Sequence, residues 1–129
     1  MTLSHEYIAG LFDGEGSIVI GKTGPREHEL AITITNNYKP VLDEVALQFP
    51  GAVNRNRLCW IYRAGHQAAQ EFLEAIYPFL RIKQLRAELA LEFRRTFTGT
   101  GQRLSDSTLE SRDWFRYEIS RLNQERGFV

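Results

Sequence analysis

Cysteine is almost absent. The 129-residue chain has one, Cys59, so no intrachain disulfide can brace it and no thiolate-rich zinc site can form. Histidine is scarce too, with three scattered along the chain, which removes the usual four-ligand zinc patterns. Net charge is absent: 16 Lys and Arg balance 16 Asp and Glu, which argues mildly against a nucleic-acid partner, whose usual footprint is a basic domain. Lysine itself is rare, three against thirteen arginines. Arginine suits bidentate contacts to phosphate and guanine edges but serves equally in surface ion pairs, so composition leaves the partner open. No apolar run is long enough to span a bilayer. No charged-then-apolar leader precedes the first folded-looking segment either, so the expectation is an intracellular, reducing compartment without a membrane partner. Bacterial or phage cytoplasm and an organelle stay equally open.

What is present is ordinary globular composition, 43% hydrophobic and 25% charged, in a length that fills one core. A single domain over residues 1–129 is expected. Ser4 can cap a first helix over Ser4–Asp13, in which Tyr7, Ile8, Leu11 and Phe12 recur at helical spacing. Gly14 and Gly16 break it. Ser17–Ile20 is short and rich in β-branched residues, Gly24-Pro25 marks a turn, and Leu30–Asn36 alternates Leu30, Ile32 and Ile34 with Ala31, Thr33 and Thr35. These read as a hairpin with one apolar face.

Pro40 opens a second helix, closed by Pro50-Gly51. Ala52–Arg57 and Cys59–Arg63 form a second hairpin turning near Arg57-Leu58. Gln67–Tyr77 and Ile82–Phe97 are helical by period, a Gly/Ser/Thr-rich loop covers Thr98–Thr108, and a last helix carries Leu109, Phe115, Ile119 and Leu122. This C-terminal helical extension spans about 106–126. The order α-ββ-α-ββ-α-α-α predicts an α+β fold with four antiparallel strands in one sheet.

Two motifs overlap near the N-terminus. Residues 16–23, Gly-Ser-Ile-Val-Ile-Gly-Lys-Thr, fit the phosphate-loop pattern letter for letter. That motif needs a flexible loop opening straight into a helix. Here the middle is strand sequence and Gly24-Pro25 follows, so no helix can begin and no nucleotide cofactor is expected. The second motif is Ile8-Ala9-Gly10-Leu11-Phe12-Asp13-Gly14-Glu15-Gly16. Small residues at Ala9 and Gly10 let another backbone approach closely. The Asp-Gly-Glu-Gly tail places a carboxylate just past a helix C-terminus, whose partial negative charge repels it. A compensating cation is therefore expected there.

Residues 8–16 resemble the LAGLIDADG motif of homing endonucleases, and Pro78-Phe79-Leu80-Arg81-Ile82-Lys83-Gln84 is similar to the family's segment that supplies a basic residue. The α-ββ-α-ββ-α order is also the family's. One copy of the motif implies a homodimer, with Ile8, Ala9, Gly10, Phe12 and Asp13 at the interface. The resemblance implies a site-specific, metal-dependent double-strand cut in a long, roughly palindromic DNA target, as in intron homing. The alternative is a DNA-binding regulator or RNA maturase of the same fold, and a carboxylate kept at position 15 favours the nuclease.

By the resemblance, Glu15 is the catalytic metal ligand, with Gly14 beside it. The family's commoner residue there is Asp. Two such carboxylates about 5 Å apart would repel by roughly 3 kcal/mol at an effective dielectric of 20, which a divalent cation relieves. Mg²⁺ is expected, with Mn²⁺ as a substitute and Ca²⁺ supporting binding without cleavage. Lys83 falls near the reacting water, against a plain reading as a surface lysine before a helix. Asn36 falls where a polar residue touches the metal-bound water, against a plain reading as a turn residue.

The sheet is then the surface for double-stranded DNA. Alternation turns Glu29, Ala31, Thr33 and Thr35 outward, and Ser17, Val19, Gly21 and Thr23 share that face. The second hairpin offers Asn54, Arg55, Asn56, Arg57 and Arg63. Its parity is ambiguous, since Val53 points to an odd-numbered core face and Trp60 and Tyr62 to an even-numbered one.

Overall fold

The computed structural model describes residues 2–97 and 104–125. Helix α1 (His5–Glu15) leads into the hairpin β1 (Gly16–Gly24) and β2 (Glu27–Asn36). Helix α2 (Lys39–Gln48) leads into the hairpin β3 (Ala52–Asn56) and β4 (Cys59–Gly65). Helices α3 (His66–Ile76), α4 (Gln84–Arg94) and α5 (Asp106–Gln124) complete the chain, with a single 3₁₀ turn, Tyr77–Phe79, after α3. The strands form one antiparallel sheet in the order β1-β2-β4-β3. The expected order of elements is therefore observed. Most of the Thr98–Thr108 loop and the end of the extension lie outside the described residues, and Asp106–Thr108 belong to α5.

Ser4 caps α1 as its sequence implies, its hydroxyl accepting from the Tyr7 amide at 3.1 Å. The helix does not stop at Gly14. It runs through to Glu15, and the amide of Gly16 closes it on the Phe12 carbonyl. β1 absorbs every residue of the phosphate-loop lookalike, which excludes a curled phosphate cradle there.

All five helices lie on one face of the sheet. Ile18, Ile20, Leu30, Ile32, Ile34 and Tyr62 point into them and meet Ile8, Phe12, Phe72 and Phe93 in one core. Each such side chain contributes about 1.5–3 kcal/mol by burial. Phe72 is the hub, touching the rings of Phe12, Phe49 and Tyr62 at centroid separations of 5.3, 5.2 and 6.1 Å.

The entry of α1 into β1 leaves no room for a side chain at Gly16, where a methyl group would collide with the Phe12 ring. Gly16→Ala is expected to cost about 1–3 kcal/mol through overpacking, read as a lower urea midpoint. An unchanged midpoint would mean that the helix–strand junction is looser than this contact implies.

The second hairpin settles its own parity. Its two-residue turn, Arg57-Leu58, pairs Asn56 with Cys59 and Val53 with Tyr62, so cross-strand partners always differ in parity. The helix-bearing face thus takes Val53 and Arg55 from β3 but Trp60, Tyr62 and Ala64 from β4. Both hints in the sequence were right for their own strand.

Candidate nucleic-acid interface and active site

Among the described residues the opposite face of the sheet carries no helix. It presents Ser17, Val19 and Gly21 from β1, Glu29, Ala31, Thr33 and Thr35 from β2, Ile61 and Arg63 from β4, and Ala52, Asn54 and Asn56 from β3. Thr23 falls in the irregularity between Lys22 and Gly24, its hydroxyl donating to Glu27. Two pairs of polar groups on this face meet: Ser17 and Thr33 share a hydroxyl hydrogen bond at 2.6 Å, and Arg63 stands 3.6 Å from the Glu29 carboxylate. Ala31 shares this face yet is only 3% exposed, shut in between Val19 and Gly65, so it has little surface to offer.

Two arginines do not share that face. Arg55 lies across from Trp60, its guanidinium 5.3 Å from the indole centroid, and its Nε donates to the Arg57 carbonyl. Lys39 approaches the same ring at 5.3 Å. Arg55 belongs to the helix-bearing side at the sheet's end, because the odd-sum register inverts the parity of β3. Arg57 occupies the turn with φ of 57°, a left-handed conformation that costs a non-glycine residue about 1–2 kcal/mol. Asn36 falls on the helix-bearing side as well, and its Oδ1 accepts from the Tyr38 amide at 2.8 Å. That bond matches the plain reading of Asn36 as a turn residue.

The dimer stripe read from the motif needs correction. Ile8, Ala9 and Phe12 are completely buried in their own chain, and Asp13 is 9% exposed. The outward stripe of α1 is Tyr7, Gly10, Leu11 and Gly14, at the i, i+3, i+4, i+7 spacing of a helix face. Of the expected set only Gly10 belongs to it. A methyl group at Gly10 or Gly14 would meet nothing within 4 Å.

Asp13 does something else. Its carboxylate accepts from the amides of Arg81, Ile82 and Lys83 at 2.8, 3.2 and 3.0 Å. These N–H groups precede α4, which has no side-chain cap of its own at Lys83. The latch also explains why α4 begins at Gln84 and not at Ile82: residues 81–83 are drawn onto Asp13. In return the Lys83 ammonium donates to the Asp13 carbonyl at 2.6 Å. A cation therefore sits at the negative end of α1, as the acidic tail of the motif requires. Lys83 is half-buried, and its pKa is lowered by that burial and by the charge of Arg86, against a smaller opposing effect of Asp13.

Glu15 ends α1 with its carboxylate exposed, and Gly14 beside it is open. A groove of about 490 Å³ begins there, lined by Gly16, Ser17, Ile82, Lys83, Arg86, Asn123 and Glu125. Among the described residues no three His, Cys, Asp or Glu side chains cluster. The donors at this corner are oxygens: one carboxylate and the carbonyls of a helix end that find no intrahelical partner. That set fits half of an open site for a hard cation.

No family model and no curated protein sequence matches the chain. Solved structures do. The homing endonuclease I-CvuI in complex with its DNA target in the presence of Ca superposes with a TM-score of 0.79 over 97% of this chain and 85% of that one, at 18% identity. The fold is that of the LAGLIDADG homing endonucleases. The archaeal intron-encoded homing endonuclease I-Vdi141I, complexed with DNA, gives a TM-score of 0.79 at 18% identity, covering 96% of this chain and 86% of that one. The homing endonuclease I-TnaI gives 0.73 at 19%, covering 96% of both chains. The LAGLIDADG architecture expected from the motif is thus observed over nearly the whole chain. No helix among the described residues is long and apolar enough to cross a membrane.

Proposed function

We propose that this chain is one half of a homodimeric, site-specific DNA endonuclease, cutting both strands of a long, roughly palindromic target with Mg²⁺. The observation that carries the reading is the exposed Glu15 at the end of α1, two residues past the Asp13 carbonyl that holds the Lys83 ammonium and next to Gly16, where β1 begins. Incubating the chain with palindrome-biased DNA and Mg²⁺, then sequencing the cut ends, tests it.

In this reading Glu15, Gly14 and their counterparts in a second copy hold the cation. Bound there, it polarises the scissile phosphate and lowers the pKa of a water. Lys83 gives up a proton more readily than a free lysine, because burial and Arg86 disfavour its charge. It stands ready to serve the departing 3′ oxygen. Ser17, Val19, Gly21, Thr23, Glu29, Thr33, Asn54, Asn56 and Arg63 meet base edges and phosphates along the groove. Arg57 keeps its charge at the tip of the second hairpin in spite of a conformation that glycine would adopt without strain, which supports a role in contacting DNA. Ala31 contributes shape only.

The second copy packs on Tyr7, Gly10, Leu11 and Gly14. Two small residues one turn apart allow two helices to approach closely. Since a side chain at Gly10 meets nothing in its own chain, Gly10→Leu is expected to leave the fold intact and dissociate the dimer. In sedimentation velocity, the wild type should run as a dimer at micromolar concentration and the variant as a monomer that keeps the wild-type circular dichroism spectrum and unfolds at a concentration-independent temperature. A monomeric wild type would remove the two-copy site.

A further inference from the structure

β1 is an edge strand, and α5 runs antiparallel along its free side. Lys22 meets Asp113 near the start of that contact, and the Asn123 side chain donates to the Ile18 carbonyl near its end. Between them lies a groove of about 420 Å³, lined by Val19 and Gly21 from β1 and by Arg116, Tyr117, Ser120 and Asn123 from α5, with the buried Ile20 and Ile119 at its floor. Asn123 also lines the groove beside Lys83 and Arg86. The two grooves thus meet at Asn123 as a common wall, and the α5–β1 groove forms a track along the strand edge.

The chemistry of the track is selective. Acids and arginines are nearly balanced along α5. Yet from Arg116 to Asn123 its side toward β1 presents a guanidinium, a phenol, a hydroxyl and a carboxamide, all hydrogen-bond donors, above the buried Ile119, and no carboxylate. Glu118 is turned to Arg121, which also holds Glu125. Asp113, at the head of the track, is already held by Lys22 and His28. Among the described residues Arg116, Lys83 and Arg86 make no salt bridge. Tyr117 is 65% exposed although it borders the groove.

We propose that the α5–β1 groove is a rail for the sugar-phosphate backbone of one DNA strand leaving the cleavage corner, with Arg116 and Tyr117 as its outer contacts. The proposal rests on the DNA-binding reading of the sheet and extends it around the strand edge to a helix. From Arg116 to Asn123 the helix rises about 10 Å at 1.5 Å per residue. One DNA strand advances 3.4 Å per nucleotide along the duplex axis, so the rail is long enough for a backbone stretch of a few nucleotides. Donors without base-reading geometry, at an edge and not in the groove floor, suit contacts that position the duplex.

The test is fluorescence anisotropy with a labelled random-sequence duplex, in Ca²⁺, across about 50–200 mM salt. Arg116→Ala is expected to weaken binding about fivefold, the worth of one hydrogen bond, and to flatten the slope of log affinity against log salt by about 0.9 for each phosphate it no longer neutralises. Arg116→Lys should restore most of the slope, and Tyr117→Phe should weaken binding without changing it. Arg95→Ala, which removes the same charge from the α3–α4 side, should behave as wild type. If Arg116→Ala matches Arg95→Ala while the wild type binds, the rail is wrong and the sheet reading survives. If the wild type binds no duplex at low salt, the DNA reading beneath it fails as well.

Discussion

Glu15→Gln is expected to lower Mg²⁺-dependent cleavage by orders of magnitude while leaving DNA binding in Ca²⁺ unchanged or tighter. The substitution keeps the size of the side chain and most of its hydrogen bonding, and removes the charge that a hard cation requires. Nothing in the fold depends on that charge: Glu15 is exposed at the last position of α1. Each dimer would lose both of its charged ligands at once, so the effect should far exceed that of Lys83→Ala. Lys83 assists a reaction that the cation drives, and its loss should slow cutting more modestly. Retention of binding separates chemistry from affinity, since removing a carboxylate near phosphate relieves repulsion. A Glu15→Gln protein that cuts at the wild-type rate would place the chemistry elsewhere. One that loses fold and binding together would make Glu15 structural.

Asp13 should show the opposite division. Its carboxylate satisfies three amides that α4 leaves without local partners, and hydrogen bonds to a charged acceptor contribute about 1.5–3 kcal/mol each. Asp13→Ala is expected to lower unfolding free energy by about 3–5 kcal/mol, allowing for partial rescue by water. Against a typical total of about 5–15 kcal/mol, that brings the chain close to unfolding at room temperature. Asp13→Asn keeps one acceptor oxygen and should fall between the two. It should also cut more slowly, because the latch holds Lys83 against α1. Equal urea midpoints for wild type and Asp13→Ala would show that residues 81–83 are held by something else.

The two acids of the motif, Asp13 and Glu15, thus face opposite ways, one turned inward and one outward. The sequence could not distinguish them. Asp13 finds partners 68 to 70 residues away, beyond any local pattern. A faint signal existed: Arg81-Ile82-Lys83 offers α4 no Ser, Thr, Asp or Asn cap, so a remote acceptor was needed. The apolar period of α1 was plain, yet period alone does not say whether a stripe meets its own chain or another. Ile8, Ala9 and Phe12 went to the core, and the stripe left outside is marked by small residues, Gly10 and Gly14, more than by apolar ones.

The β-strands were easier to read. Alternation in Leu30–Asn36 fixed the inward face of β2, and the first hairpin keeps one parity on both strands from Gly16 to Lys22, where the register shifts. The second does not, because a two-residue turn pairs odd with even. That rule could have been applied to Arg57-Leu58, and it would have moved Arg55 off the groove face. The α5–β1 groove had no signature at all. It depends on which helix covers a strand edge, a matter of tertiary packing.

Divalent-metal cleavage of palindromic DNA by two copies of Glu15 is tested most directly by selection from a randomised, palindrome-biased duplex library. Wild-type chain and Glu15→Gln are incubated in parallel with Mg²⁺, and the cut ends are sequenced. The account predicts double-strand breaks converging on one two-fold symmetric site, abundant with the wild type and absent with Glu15→Gln or when Ca²⁺ replaces Mg²⁺. Ends no more frequent or convergent with the wild type than with Glu15→Gln would contradict it.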